Sequence, residues 1–202
     1  MSNVRHISAG TDKAALRQKC KARRAAIPPM TRLEHAAKVA LLMANTLDFT
    51  DKTVAGYSPI GEELDIAPLL DALHEDGVPC CLPVTSPPNK QLTFRRWQGE
   101  REMTRSHYGI AVPPMTSATV VPDIVIVPMV GFTESLHRIG YGAGYYDATL
   151  RALRRKKNPP LAVGVAFSAQ QVTAKDGRFV PDAHDEPLDL IITENGILRK
   201  PD

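Results

Sequence analysis

The chain has little of what would tie it to a membrane, an oxidising compartment or a zinc site. Its 202 residues include three cysteines, Cys20, Cys80 and Cys81. An odd number with two of them adjacent makes a poor disulfide framework. No Cys-x-x-Cys or His-x-x-x-His pair offers zinc-ligand spacing. No apolar run approaches the roughly 20 residues of a membrane span, and the polar opening MSNVRHISAGTDK has no signal-peptide core. A cytoplasmic protein without membrane contact is expected. Charge of one sign is also scarce: 25 Lys and Arg against 22 Asp and Glu leave +3. Aromatics are 5% of the chain, and the basic stretches lack the interleaved rings on which bases stack. Both features argue against nucleic acid and remain compatible with small anionic ligands. Neither a Walker A loop nor a Rossmann G-x-G-x-x-G occurs.

What is present suits one globular domain. Apolar residues at 43% and charged ones at 23% are ordinary for that class, and the length allows a full core. Residues 1–11 read as a flexible start. Asp12 to Ala25 reads as a basic helix, ended by Pro28-Pro29. Thr31-Arg-Leu-Glu34 has the form of a capping box. The helix it would open runs to about Leu47, with Leu33, Ala36, Ala37, Ala40, Leu41 and Ala44 on an apolar face. Thr53 to Tyr57 reads as a strand, Ile66 to Glu75 as a helix closed by Gly77, and Val78 to Leu82 as the next strand. Leu92 to Trp97 is another, with Phe94 and Trp97 as core residues, and a proline-rich connection follows through Pro122. Asp123 to Val127, Leu161 to Phe167 and Asp189 to Thr193 complete the strands. Such alternation predicts an α/β fold, a three-layer α/β/α single domain around a mainly parallel central sheet. Ligands of these sheets bind beyond the carboxyl ends of the strands. The loops after Tyr57, Val127 and Phe167 are therefore expected to converge.

The segment from Pro122 to Arg151 carries the strongest signal. A β-branched run is followed by Arg138, by Gly140, Gly142 and Gly144, and then by the helix-like Tyr145-Tyr146-Asp147. Strand, glycine loop and helix start turn backbone N–H groups and a helix dipole toward a phosphate. Arg138 offers a fork for phosphate oxygens, and Asp147 a carboxylate suited to Mg²⁺. A plainer role stands beside each: a tight turn, a structural ion pair, an acid favoured by the helix dipole. Together they point to a phosphorylated small molecule.

The same residues carry a resemblance. Arg138-Ile139-Gly140-Tyr141-Gly142-Ala143-Gly144-Tyr145-Tyr146-Asp147 resembles the R-L-G-x-G-x-G-Y-Y-D signature of the 5-formyltetrahydrofolate cyclo-ligase family. Lys13-Ala-Ala-Leu-Arg17 is similar to its K-x-x-L-R, and Glu63-Leu-Asp65 to its E-[IL]-[DE] loop. Leu82-Pro-Val84, Leu92-Thr-Phe-Arg95 and Gly109-Ile110…Pro113 fall in the family's order. His184-Asp185-Glu-Pro-Leu-Asp189, with Ile191-Ile-Thr-Glu194, resembles its closing H-D-x-P-x-D…T-E.

The resemblance implies ATP- and Mg²⁺-dependent conversion of 5-formyltetrahydrofolate to 5,10-methenyltetrahydrofolate, with release of ADP and phosphate. It implies that Lys13, Arg17, Arg138 and the loop from Ile139 to Tyr146 hold ATP, and that Arg138 and Tyr145 serve catalysis. It further implies that Ser58, Glu63, Tyr141 and Tyr145 contact the folate, and that Asp147 and Asp185 hold Mg²⁺. Partners would be these small molecules, with the chain a monomer or weak homo-oligomer. A divergent paralogue that binds nucleotide or folate without turnover is the alternative. A third reading is a nucleic-acid binder using the basic Lys13 to Arg24 helix and Arg151 to Lys157. One departure stands out: the family's F-D-x-x-G-x-R reads Phe132-Thr133-Glu-Ser-Leu136-His-Arg138 here. A glycine takes positive φ freely and a leucine does not. The loop is therefore expected either to follow another path or to hold Leu136 under strain.

Overall fold

The computed structural model describes residues 13–85, 88, 90–99, 103–106 and 109–200; the start expected to be flexible lies outside them. Two helices come first, α1 (Lys13–Ala25) and α2 (Pro29–Thr46). The strand β1 (Val54–Ala55), helix α3 (Ala67–Glu75) and strands β2 (Cys80–Thr85) and β3 (Leu92–Trp97) follow. Within the proline-rich connection, β4 (Thr104–Arg105) and β5 (Ala111–Val112) form a small antiparallel pair. Then come β6 (Ile124–Pro128), a second small pair of β7 (Gly131–Phe132) and β8 (Arg138–Ile139), and α4 (Tyr145–Arg154). Strands β9 (Leu161–Val165), β10 (Leu190–Thr193) and β11 (Gly196–Arg199) complete the order.

The central sheet has seven strands in the order β11-β10-β9-β6-β1-β2-β3. Pairings among β2, β1, β6, β9 and β10 are parallel, and only the edge strands β3 and β11 run antiparallel. Side chains alternate between the sheet's two faces with a period of two. On β6, Ile124 and Ile126 pack into one core with α2 and α3, while Val125 and Val127 pack into the other with Leu150 and Leu153 of α4. Both faces are thus covered, giving the expected three layers. Phe94 and Trp97 are buried, as expected. Among the described residues no helix is long and apolar enough to cross a membrane.

Two local expectations are corrected. Helix α2 begins at Pro29, ahead of Thr31, and no side chain caps it. Proline at the first helical position has no N–H to leave unmet and a φ already suited to a helix, so the capping box is not needed there. Arg138 was expected in a loop but lies in strand β8, paired with Phe132.

That hairpin also decides the fate of the Thr133 and Leu136 departure. Leu136 takes the left-handed φ of 62°, so the turn follows the positive-φ path and holds Leu136 in a strained conformation. The turn is closed by the Thr133 N–H donating to the His137 carbonyl and the Leu136 N–H to the Thr133 carbonyl. Thr133 stands in for the missing Asp, because its hydroxyl accepts the His137 N–H at 3.2 Å. Left-handed backbone costs a leucine roughly 1–2 kcal/mol. The side chain is 1% exposed, in the core on the α4 face, and such burial returns roughly 1.5–3 kcal/mol. Packing therefore offsets the strain, and Arg138 keeps its place.

Candidate active site

Strand β1 has β2 on one side and β6 on the other, so successive connections leave it in opposite directions. Open sheets of this kind form a crevice at such a switch point. A cavity of about 760 Å³ lies there, lined from the loop after β1 by Tyr57, Ser58, Ile60 and Glu63 and at the end of β6 by Pro128. Every residue assigned above to ATP, folate or metal lines it: Lys13, Arg17, Ser58, Glu63, the run Arg138 to Asp147, and Asp185. The connection after Phe167 joins them as expected, through Phe179, Asp182, His184 and Asp185, but its first turn does not line the cavity. Its Ser168 N–H and hydroxyl are bound by Glu194, and the Gln170 amide is spent on the Met129 and Val130 carbonyls. That first turn packs against α1 instead. The wall is completed by Pro83, Thr85, Leu92 and residues 110–112; most of these lie in stretches that follow the family's order, but none was assigned a ligand contact from the sequence.

The glycine loop works by two different means. Gly142 and Gly144 take φ of 108° and 76°, and Gly144 leads directly into α4 as its N-cap. Gly140 has no positive φ; a Cβ there would meet Arg138 Nη1 at 2.5 Å. It is small so that the arginine can fold across it. Arg17 braces the loop from α1, its Nε donating to the Gly140 carbonyl at 2.8 Å.

Arg138 is buried and ion-paired with Asp147 through Nη2 and Oδ2, so the plainer reading of an ion pair is realised. Its guanidinium lies 5.6 Å from the centroid of the Tyr146 ring, and burial pushes the Tyr146 phenol well up from its ordinary range. Asp147 is also fixed through Oδ1, which accepts the Glu186 N–H at 3.2 Å. Ile139 contributes backbone only, since its side chain packs with Leu16 and Cys20 in a separate apolar cluster.

Lys13 reaches across the cavity rim to Asp185 and Asp182 at 2.5 and 2.6 Å. Partial burial works against its charge, yet the two carboxylates outweigh that and raise its pKa. Asp185 moves the other way: burial opposes, but Lys13 and the Asp182 N–H hold it below the usual carboxylate range. Lys13 and Asp185 thus sit in one ion pair in the lining of the same cavity. Asp147 and Asp185 are hard oxygen donors on one cavity wall. Mg²⁺ takes one or two such carboxylates and completes its shell with water and phosphate, so a cage of three protein ligands is not required, and none occurs among the described residues.

Glu63, also in the cavity lining, is buried, accepting the Tyr141 hydroxyl at 2.6 Å and the Ile60 N–H at 2.8 Å. Burial raises its pKa, against those hydrogen bonds. The Tyr141 phenol is pushed up to about 12 by burial and by Glu63. Ser58 donates to the Ala111 carbonyl at 2.6 Å, which ties the loop after β1 to strand β5.

Comparison with known proteins agrees with the geometry. A sequence model of the 5-formyltetrahydrofolate cyclo-ligase family matches residues 9–194. The 5-formyltetrahydrofolate cyclo-ligase of Escherichia coli (strain K12) is 31% identical over 150 residues, covering 72% of this chain and 79% of that one. The Mycolicibacterium smegmatis enzyme of the same name is 28% identical over 189 residues, covering 90% and 91%. The solved Aquifex aeolicus 5,10-methenyltetrahydrofolate synthetase superposes with a TM-score of 0.77 at 30% identity, over 94% of this chain and 93% of that one. With the signature loop, its bracing helix and every strand of the central sheet except β11 inside the matched span, the chain belongs to the 5-formyltetrahydrofolate cyclo-ligase family.

Proposed function

We propose that this protein closes 5-formyltetrahydrofolate to 5,10-methenyltetrahydrofolate, using ATP as phosphoryl donor. The observation that carries the reading is one cavity at the β1–β6 switch point whose lining joins cations, the glycine loop and a buried acid. In the proposed reaction the formyl oxygen attacks the γ-phosphorus and ADP leaves. The phosphorylated formyl carbon is then attacked by N10, and phosphate departs as the bridge closes. Phosphoryl transfer asks chiefly for positioning and charge neutralisation. Lys13, Arg17 and Arg138 supply cations, and the loop from Gly140 to Gly144 brings backbone close to phosphate. Glu63, its pKa raised by burial, would meet polar edges of the pterin, with Ser58, Tyr141 and Tyr145 completing the folate side. Asp147 and Asp185 would hold Mg²⁺, whose chemistry when bound is neutralisation of phosphate charge.

The test is the absorbance of methenyl product formed by purified protein with and without Mg-ATP. Product that depends on ATP is expected. Binding of both ligands in calorimetry without any product would favour the non-catalytic paralogue.

A further inference from the structure

Helix α2 is apolar on two sides. Of the apolar face expected from its sequence, the structure buries Ala36 and half-buries Ala40, while Leu33, Ala37, Leu41 and Ala44 are exposed. The core is met instead by Ala36, Val39 and Met43. At about 100° per residue, Met30, Leu33, Ala37, Leu41 and Ala44 form one stripe roughly 80° wide, turned about 130° from that buried row. Met30, Leu33 and Leu41 are 67%, 58% and 64% exposed. They are three of the eight exposed large apolar side chains among the described residues, so the exposure is gathered on one helix. Single exposed apolar residues need no explanation, but a contiguous patch marks a surface that meets a partner.

We propose that this stripe pairs with the same stripe of a second copy of the chain, the two α2 helices lying antiparallel about a two-fold axis at Ala37. The occupant follows from self-complementarity. In an antiparallel pair centred on Ala37, positions equally far before and after it face each other. Leu33 then meets the partner's Leu41, Met30 meets the partner's Ala44, and Ala37 meets its own copy. All five stripe residues find a place, and a closed two-fold contact of this kind is the commonest between identical chains. Charge agrees with the register. Glu34 and Lys38 are exposed along one edge of the stripe, and the two-fold sets that edge beside its own copy. Glu34 and the partner's Lys38 are then about 3 Å apart along the axis, so two symmetric ion pairs flank the seam. From Met30 to Ala44 the seam is about 21 Å long. One helix face of that length falls short of the roughly 800 Å² per partner of a standard interface, so the dimer is weak and depends on concentration. None of the stripe residues lines the large cavity, and each copy keeps its site intact.

The test is sedimentation of the full-length protein from about 5 µM to about 500 µM, a range that spans weak association. Monomer at the low end and a growing share of dimer toward the high end are expected. Leu33→Glu and Leu41→Lys should each weaken association at least tenfold, or about 1.4 kcal/mol. Their melting temperatures should stay within about 2 °C of the parent, because both positions are exposed. Combining the two should restore the dimer, since each new carboxylate then faces the partner's new ammonium. Ala37→Cys should give a covalent dimer under mild oxidation, because the two sulfurs meet on the axis while Cys20, Cys80 and Cys81 are buried. Asp71→Cys, exposed on α3, should not. A dimer that survives both single variants, or that Asp71→Cys traps as well as Ala37→Cys, would place the contact elsewhere and overturn the proposal. Loss in the single variants without recovery in the double would show apolar adhesion lacking this register, and would overturn the antiparallel pairing. A monomer at every concentration would overturn it too, and would assign the stripe to another occupant, residues 1–12 of the same chain or a different protein. None of these readings depends on turnover, so the proposed function stands or falls separately.

Discussion

Arg138 and Asp147, the two ends of the signature, are ion-paired with each other, joining strand β8 to the first turn of α4 beneath the glycine loop. The pair fixes the guanidinium plane before any ligand arrives. A phosphate that engages Arg138 therefore meets a pre-set donor array, and a metal on Asp147 has to share that carboxylate with the arginine. Positioning of this kind is what phosphoryl transfer demands.

Arg138→Lys should lower turnover at least tenfold, or about 1.4 kcal/mol of transition-state stabilisation. A lysine keeps the charge but cannot bond Asp147 and a phosphate oxygen with one rigid plane. Initial rates at saturating ATP and folate check this; a mutant within twofold of the parent removes the forked geometry from the mechanism.

Gly140→Ala tests the same plane from the backbone side. The new methyl would meet Arg138 Nη1 at 2.5 Å, and the arginine is pinned by Asp147, so it must tilt out of place. The expected result is a turnover loss comparable to Arg138→Lys with a melting temperature only a few degrees lower, since the loop lies at the cavity surface. Unchanged kinetics would mean that Arg138 has room to spare.

Glu63 gives a pH signature. Burial holds its carboxyl above the ordinary 4.5. A raised acid keeps its proton in the folded chain where the unfolded chain has lost it. Its contribution to stability is thus full below about 4.5 and is lost as pH rises through the folded value. Glu63→Gln mimics the protonated form, and its amide can donate to the Tyr141 oxygen while its carbonyl accepts from Ile60. The melting temperature of the mutant relative to the parent should therefore climb from pH 4.5 to pH 8. Calorimetric melts across that range decide; a flat difference would show that burial is not what shifts Glu63.

Six of the seven sheet strands were legible because they carry the pattern that burial imposes: Ile124 to Val127 is apolar at every position, as a strand covered on both faces must be, whereas the edge strand β11, only half-buried, was missed. The glycine loop was legible because Gly, Arg and Asp at that spacing answer to backbone geometry and charge. The partners of those charges were not. Nothing in the local sequence says that Lys13 meets Asp182 and Asp185, or that Arg24 is buried against Tyr141, because these contacts join residues brought together only by the fold. The short pairs β4–β5 and β7–β8 were missed for a related reason. Strands of two residues have no periodicity to read, and their turns are set by single residues such as Thr133 and Leu136.

Leu136 brings local and global demands into direct conflict, and its replacement by glycine measures which one wins. Leu136→Gly removes the left-handed penalty, worth roughly 1–2 kcal/mol. It also deletes a fully buried side chain from the α4 face, and deletions of that size from a core cost roughly 2–5 kcal/mol. The packing loss is the larger, so the mutant should be less stable by about 2 kcal/mol, which in a domain of this size is a fall of roughly 4–8 °C in melting temperature. Turnover should stay near the parent rate, because Arg138 is held from the other side by Asp147 and the turn keeps its Thr133 hydroxyl bond to the His137 N–H. Thermal melts and initial rates on one preparation separate the two effects. A glycine mutant more stable than the parent would show that strain, not packing, governs this turn.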